Sequence, residues 1–279
     1  MSQVYDLHCH TNLSDGALSP AELVQRAAHF GVQQLAITDH DTIAALAPAR
    51  AAIAEQQLAL HLITGVELTC RWQNHEIHLV ALNFDPEHTD LVQLLAQQQQ
   101  QRRDRYAAMV ARLDYLGLAI TPPAVQQLTM PTRKHLADAL VEQGKVSSVE
   151  AAFQRYLGAG KLAYIKAQWV ELEQAIAVVK AAGGYSIIAH PHAYQLSNKW
   201  LRRLFSEGKD AGLDGIEVAI GAQAPGQREA LALMANDLNL AASVGSDFHT
   251  PMRWRELGKN LCLPPSCVPI WTQWSANNE

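Results

Sequence analysis

The sequence is poor in the features that tie a chain to a membrane, an oxidising compartment or a long polyanion. Its 279 residues hold four cysteines, Cys9, Cys70, Cys262 and Cys267, with no CxxC pair. So few thiols, so spaced, give neither a disulfide framework nor a thiolate metal knuckle, and they suit a reduced cytoplasm. No apolar run approaches the roughly 18–20 residues of a membrane span. Met1–Asp6 carries no basic stretch ahead of an apolar one, so no export signal is expected. Basic residues are in deficit, 22 Lys+Arg against 27 Asp+Glu, which excludes a broad basic face for long nucleic acids. Hydrophobic residues at 48% exclude wholesale disorder. The length suits one large domain, or one with an insertion, since cores stop growing at roughly 250–300 residues. Against this background one residue type is in excess. There are 12 His, more than the 5 Phe, 7 Tyr or 6 Trp.

Short apolar segments alternate with capped helices. Val4–Leu7 reads as a strand, and Ser19-Pro20-Ala21-Glu22 as a capping box with Pro at the first helical position. Strands are expected at Gln34–Ile37, His61–Val66 and Ile77–Leu82, with Trp72–His75 as the turn of a hairpin between the last two. A helix is expected near Ala44–Gln57, and Pro48 makes it start late or bend. From Thr89 the pattern turns wholly helical: Thr89–Leu116, about Thr132–Gln143 and Ser148–Leu157. The run Gln97–Gln101 in the first of these reads as a solvated helix face. Alternation returns with helix Glu171–Ala182, strand Tyr185–Ala189, a helix capped by Ser197, strand Gly215–Ala219, helix Gly226–Leu238 and strand Ala241–Val244. This order predicts an α/β domain, a parallel sheet or barrel, built from residues 1–94 and 166–279, with a helical insertion at 95–165.

The metal-capable side chains fall just after these strands, or at the start of the fourth. His8, His10 and Asp15 follow the first, His40 the second and Glu67 the third; His78 opens the fourth, His190 follows the fifth, and Asp247 and His249 the last. Ends of parallel barrel strands converge on one mouth, so groups distant in sequence meet there. Residues i and i+2 of an extended segment point the same way, so His8 and His10 can grip one ion, as can Asp247 and His249. One tetrahedral ion needs about four ligands, so nine candidates imply two or three ions, with Glu67 a natural bridge. Three carboxylates do not cancel three divalent charges. The site stays cationic and favours an anion, above all phosphate. Asp39 and Asp41 read as supporting or capping groups rather than ligands.

Taken together, Asp6-Leu7-His8-Cys9-His10-Thr11, Ser14-Asp15-Gly16, Ile37-Thr38-Asp39-His40-Asp41, Gly65-Val66-Glu67, His75-Glu76-Ile77-His78, Ala189-His190-Pro191 and Gly245-Ser246-Asp247-Phe248-His249 resemble the polymerase and histidinol phosphatase (PHP) family. The resemblance implies a distorted (β/α)7 barrel with a trinuclear centre, most often manganese, with zinc or iron as the other options. By position, His8, His10, Glu67 and Asp247 would hold one ion, Glu67, His78 and His190 a second, and Asp15, His40 and His249 a third. The family hydrolyses phosphoesters with a hydroxide held between metals. Pro131-Thr132-Arg133-Lys134-His135 and Leu196-Ser197-Asn198-Lys199-Trp200-Leu201 resemble the branch acting on nucleoside 3′,5′-bisphosphates, some members of which are also 5′→3′ exoribonucleases on short RNA. Where that branch often has Gly-Arg after His190-Pro191, this chain has His192-Ala193.

These residues set the expected chemistry. Hydroxide attacks phosphorus in line, and His192 serves as general acid to the leaving 3′-oxygen, alongside Asp247 at the metals. Arg133, with Lys134 and His135 at a helix start, anchors a 5′-phosphate. Lys199, Trp200, Arg202 and Arg203 extend the rim, with Trp200 stacking on a base. The expected ligands are a nucleoside 3′,5′-bisphosphate, cleaved to the 5′-monophosphate and phosphate, and short RNA 5′ ends; no protein partner is expected. The alternatives are another phosphomonoesterase, such as a histidinol phosphate phosphatase, and a C–N hydrolase of the amidohydrolase type.

Overall fold

The structure is a computed structural model that describes residues 3–274. The expected outer bounds of the barrel segments, residues 1–2 and 275–279, lie outside the described residues. The order of elements is β1 (Tyr5–Asp6), α1 (Pro20–His29), β2 (Gln34–Ala36), α2 (Leu46–Glu55), β3 (His61–Ile63), β4 (Gly65–Trp72), β5 (His75–Leu82), α3 (Thr89–Tyr115), α4 (Arg133–Glu142), α5 (Val149–Ala152), β6 (Val170–Glu171), α6 (Leu172–Ala181), β7 (Tyr185–Ile188), α7 (Asn198–Asp210), β8 (Gly215–Ile220), α8 (Gln227–Asp237) and β9 (Ala241–Gly245). Helix α1 starts where its capping box puts it. The Ser19 hydroxyl accepts from the Glu22 N–H, and the Glu22 carboxylate accepts from the Ser19 N–H.

A three-stranded parallel sheet, β1-β2-β3, faces a six-stranded sheet of order β6-β4-β5-β7-β8-β9. Two seams join them. At one, the Leu7 N–H donates to the Val244 carbonyl (3.1 Å), the Asp247 N–H to that of His8 (2.8 Å) and the His10 N–H to that of Phe248 (2.9 Å). At the other, the Asp41 N–H donates to the Glu67 carbonyl (2.9 Å), with a parallel bridge between His40 and Glu67. Strand order thus returns to its start, and residues beyond each strand end are tied to their neighbours.

The third expected strand, His61–Val66, is longer than its pattern shows. It breaks at Thr64, whose hydroxyl donates to the Phe84 carbonyl (2.8 Å), and continues as β4 to Trp72. Strand β5 runs antiparallel to β4, pairing Glu67 with Val80 and Thr69 with His78. That reversal brings the beginning of β5 to the level where the parallel strands end. Side chains alternate along β5. Ile77, Leu79 and Ala81 pack outward in a core shared with helices α6, α7 and α8, whereas Val80 and Leu82 join Leu7, Ala36, Ile63, Ile187 and Ala219 inside. His78 shares the inner face, so the inner apolar layer is a floor beneath it.

A third core lies between α1, α2 and the first two strands. The helical block has its own: Tyr106, Met109, Leu113, Leu136, Leu140 and Leu157 pack together. Helix α3 spans both, giving Leu91, Leu94 and Leu95 to the sheet core and its second half to the helical one. The five-Gln run is solvated only in part: Gln97 and Gln100 are exposed. Gln98 is fully buried, donates to the Thr69 carbonyl (2.6 Å) and accepts from the Val170 N–H (3.3 Å), so it ties α3 to β4 and β6. A polar amide is tolerated there because both its ends are bonded.

The first seam is tight. A Cβ on Gly245 would stand 2.3 Å from the His8 Cβ and 3.0 Å from the Glu217 Oε1. Gly245→Ala is therefore expected to cost about 1–3 kcal/mol of stability by overpacking. A thermal or urea melt coinciding with that of the parent would show that the seam is looser than described.

Candidate metal centre

Glu67 stands at the middle of the mouth, 1% exposed. Its Oε1 lies 2.9 Å from His78 Nδ1, 2.9 Å from His190 Nε2 and 3.5 Å from His8 Nε2. Its Oε2 lies 2.8 Å from His40 Nδ1 and 3.4 Å from His10 Nε2. Asp15 reaches His249 (3.3 Å) and His40 (3.5 Å), while Asp247 reaches His249 (3.5 Å), His10 (3.6 Å) and His8 (3.7 Å). All nine side chains singled out in the sequence are thus brought together. They form four overlapping sets with ligand atoms within 4.8 Å of one another: His10, Asp15, His40 and His249; His8, Glu67 and His190; His8, His10 and Asp247; and His40, Glu67 and His78.

The donors fit divalent ions. The Nε2 atoms of His8 and His10 face each other at 3.1 Å. His8 Nδ1 is engaged by Glu217 (2.7 Å), which leaves Nε2 as the ring atom turned toward His10. A proton or a cation belongs between them. His10 Nδ1, His40 Nδ1, His190 Nδ1 and Glu67 Oε2 are buried without a hydrogen-bond partner, the 2.8 Å approach of His40 to Glu67 being too poorly aligned to count. Buried polar atoms rarely stay unpaired. Imidazole and carboxylate are the donor types that zinc, manganese and iron take.

The three carboxylates and the His10 ring are held in the ligating form. Burial and then the neighbouring His249 push the His10 pKa down to about 3, leaving a neutral ring. Burial opposes ionisation of Glu67, Asp15 and Asp247, but the surrounding imidazoles outweigh it and hold all three carboxyls well below the usual range. Burial likewise presses on His40, yet Glu67 and Asp15 hold it up at about 10. Without cations the histidines thus carry the charge that the carboxylates demand. The backbone is constrained too. Asp41, His190 and Asp247 have φ of 50°, 29° and 51°, a left-handed region that non-glycine residues seldom adopt.

Asp39 and Asp41 support the site from behind. Asp39 accepts from the Thr11 N–H (2.8 Å) and from the hydroxyls of Thr11 and Ser14, and so shapes the loop that carries Asp15. Asp41 takes Arg102 Nε (2.6 Å) and the Thr69 N–H (2.9 Å). A cavity of about 200 Å³ opens beside Asp15, His40 and His78, walled by Arg102, Arg105, Arg133, Lys134, Phe153 and Trp169 among others. Arg133 pairs with Glu76 (2.8 Å), which burial would raise but Arg133 and Arg105 hold down at about 2, and Lys134 pairs with Asp138 (2.6 Å). His135 is used in the helix cap, its Nδ1 accepting from the Thr132 N–H (3.1 Å). His192 is half-buried, and burial, then His190, lowers its pKa.

Lys199 and Trp200 are not brought to this centre. Lys199 is exposed in the first turn of α7, and the Trp200 ring packs edge-on to Trp72 and His75 at the far tip of the β4–β5 hairpin. Arg202 and Arg203 pair with Asp237 and Glu207. Three site groups escaped sequence reasoning. Glu217 fixes His8 and also accepts from the His190 N–H (2.6 Å). A lone acid within the otherwise apolar strand Gly215–Ile220 was its signal. Arg255 donates to the Asp247 carboxylate (3.0 Å), and Tyr194 accepts from the His78 N–H (2.9 Å). Neither has a sequence signal.

The family model described as PHP domain matches residues 6–181. The chain is 46% identical to a 5′-3′ exoribonuclease, Rnm, of Escherichia coli over 97% of its own length and 94% of the relative's. It is 38% identical to a 3′,5′-nucleoside bisphosphate phosphatase of Chromobacterium violaceum, over 97% and 96% of the two chains. A solved structure described as an amidohydrolase from Chromobacterium violaceum, with bound SO4 and no metal, superposes with a TM-score of 0.89 over 96% of this chain and 95% of that one, at 38% identity.

Glu217 offers a direct test of this geometry. Glu217→Ala frees the His8 ring and removes an acceptor from His190, and metal affinity is expected to fall about 10–100-fold. Metal content after gel filtration measures it, and parental stoichiometry would show that Glu217 does not orient these ligands.

Proposed function

The chain belongs to the PHP family, and from that membership we propose a metal-dependent phosphoesterase that removes the 3′-phosphate of nucleoside 3′,5′-bisphosphates and trims short 5′-phosphorylated RNA from its 5′ end. The observation that carries this reading is the nine-residue cluster around Glu67 opening into a cavity walled by arginines. The names of the two relatives, an exoribonuclease and a bisphosphate phosphatase, support both halves of it. Both reactions cleave the bond from phosphorus to a 3′-oxygen. They differ only in whether the phosphoryl group carries more chain.

We assign the nine clustered side chains to three divalent ions, manganese first among the candidates, with Glu67 shared. Bound there, such ions lower the pKa of water and offset charge on the phosphoryl oxygens. The protein's own part is orientation. Glu217 fixes the His8 ring, Asp39 sets the Asp15 loop, and the left-handed backbone at Asp247 aims its carboxylate into the cluster. Residues 95–165 form the insertion that walls the cavity. There Arg133 leaves Glu76 to grip the 5′-phosphate with a planar fork, Lys134 adds charge, and His135 holds the helix start in place. To His192 we assign the hydrogen bond to the leaving 3′-oxygen. The four cysteines are unpaired, which suits a cytoplasmic protein. Among the described residues no helix is long and apolar enough to cross a membrane. The solved structure described as an amidohydrolase makes C–N hydrolysis the second reading.

A kinetic screen with Mn²⁺ separates these readings. Nucleoside 3′,5′-bisphosphates and short 5′-phosphorylated RNAs are expected to turn over, histidinol phosphate and amides to lag far behind; the reverse order would sink the proposal. Chelation is expected to abolish turnover and added Mn²⁺ to restore it. Arg133→Ala is expected to lower kcat/KM for the bisphosphate roughly 10–100-fold, as for a lost charged hydrogen bond. A nucleoside 3′-monophosphate, lacking the 5′-phosphate, should barely register the change. Equal losses on both substrates would refute the anchor.

A further inference from the structure

The cavity lies beside one part of the cluster. Of the nine clustered side chains it touches Asp15, His40 and His78, but not Asp247 or His249. The Asp247 flank is bordered by a different feature, the turn Met252–Arg255, closed by an antiparallel bridge between those two residues. Arg255 anchors the turn to the centre, donating to both the Asp247 carboxylate and the Asp247 carbonyl at 3.0 Å. The tip carries Arg253 and Trp254, both exposed, Trp254 to 72%. No core claims that ring. Its Cα lies about 3.8 Å from that of Arg255, whose guanidinium touches a clustered carboxylate. A rigid aromatic face beside cations is the element that holds single-stranded nucleic acid, because every base has a face to stack.

From this placement we infer that Trp254 is the stacking platform for the base of the second nucleotide of an RNA substrate, with Arg253 beside its phosphate. The inference rests on the phosphoesterase reading above and adds the second subsite. In that reaction the oxygen of water forms a bond to phosphorus, the bond from phosphorus to the first nucleotide's 3′-oxygen breaks, and a proton passes to that oxygen. The first nucleotide occupies the arginine-walled cavity and leaves with its 5′-phosphate. The rest of the chain stays attached to phosphorus. The 5′-oxygen that carries the rest of the chain is a different substituent of phosphorus from the 3′-oxygen that leaves, so that chain diverges from the first nucleotide and the cavity, and we place it over Met252–Arg255, which borders the Asp247 side of the cluster. A bisphosphate has nothing on that side. Trp254 therefore governs the preference between RNA and mononucleotide, not the chemistry. Trp200, the tryptophan the sequence offered for stacking, packs instead against Trp72 and His75 at the tip of the β4–β5 hairpin.

The experiment compares kcat/KM for a 5′-phosphorylated trinucleotide and for the nucleoside 3′,5′-bisphosphate, in the parent, Trp254→Ala and Trp254→Phe, with Mn²⁺. Loss of one stacked base is worth about 5–150-fold. The RNA-to-bisphosphate ratio should fall by that factor in Trp254→Ala and stay close to the parent in Trp254→Phe. A trinucleotide with an abasic second residue should be cut equally by parent and Trp254→Ala, since it has no base to stack. An unchanged ratio in Trp254→Ala, or an equal loss on the abasic RNA, would overturn the inference while leaving the phosphoesterase reading intact. A parent protein that cleaves neither substrate would overturn both.

Discussion

A carboxylate almost sealed from water is tolerable only if positive charge is delivered to it. Glu67 sits in that position, and His8, His10, His40, His78 and His190 close around it within 3.5 Å. Desolvating an ion costs several kcal/mol, repaid only by close opposite charge with good geometry. Much of the remaining architecture answers this demand. The two seams hold the loops after β1 and β2 against β4 and β9, Glu217 turns His8, and the apolar floor keeps water from approaching from below.

The arginine-walled cavity obeys the same electrostatics. Its cations are not idle: Arg133 is paired with Glu76, and Arg102 with Asp41. Trp169 also donates to Glu76 (2.9 Å), so this carboxylate collects cation and indole into one wall. An anion entering there exchanges one partner for another instead of meeting bare charge. Such exchange costs affinity and gains discrimination, since only a ligand with enough negative charge at the right place repays the broken pairs.

The nine clustered residues were legible in the sequence because of a simple geometric fact. Metal-capable types recur at strand ends, and a closed ring of strands converts that periodicity into proximity. The α/β alternation and most helix limits were legible through capping chemistry, as at Ser19 and Ser197. Groups whose role depends on tertiary neighbours were hidden. Gln98 reads as one of five solvated glutamines until β4 and β6 pack over it. Arg255 has no pattern at all, and its meaning comes from Asp247. Trp200 carries a pattern that suits a ligand, yet α7 turns it toward Trp72 and His75. The extent of β4 was missed because Thr64 bends one strand into two.

The single reversed strand has an evolutionary consequence. Because β5 runs back against β4, their hairpin rises past the level of the metal cluster, and Glu76 near its tip meets the helical block. Side chains on such a ribbon alternate with a period of two, so one inserted residue would swap its faces. Insertions in pairs, one residue on each strand beyond Glu76, would lengthen the ribbon while leaving Glu67 and His78 in register. The depth of the vestibule can thus drift among descendants of this fold in discrete steps, independently of the chemistry beneath it.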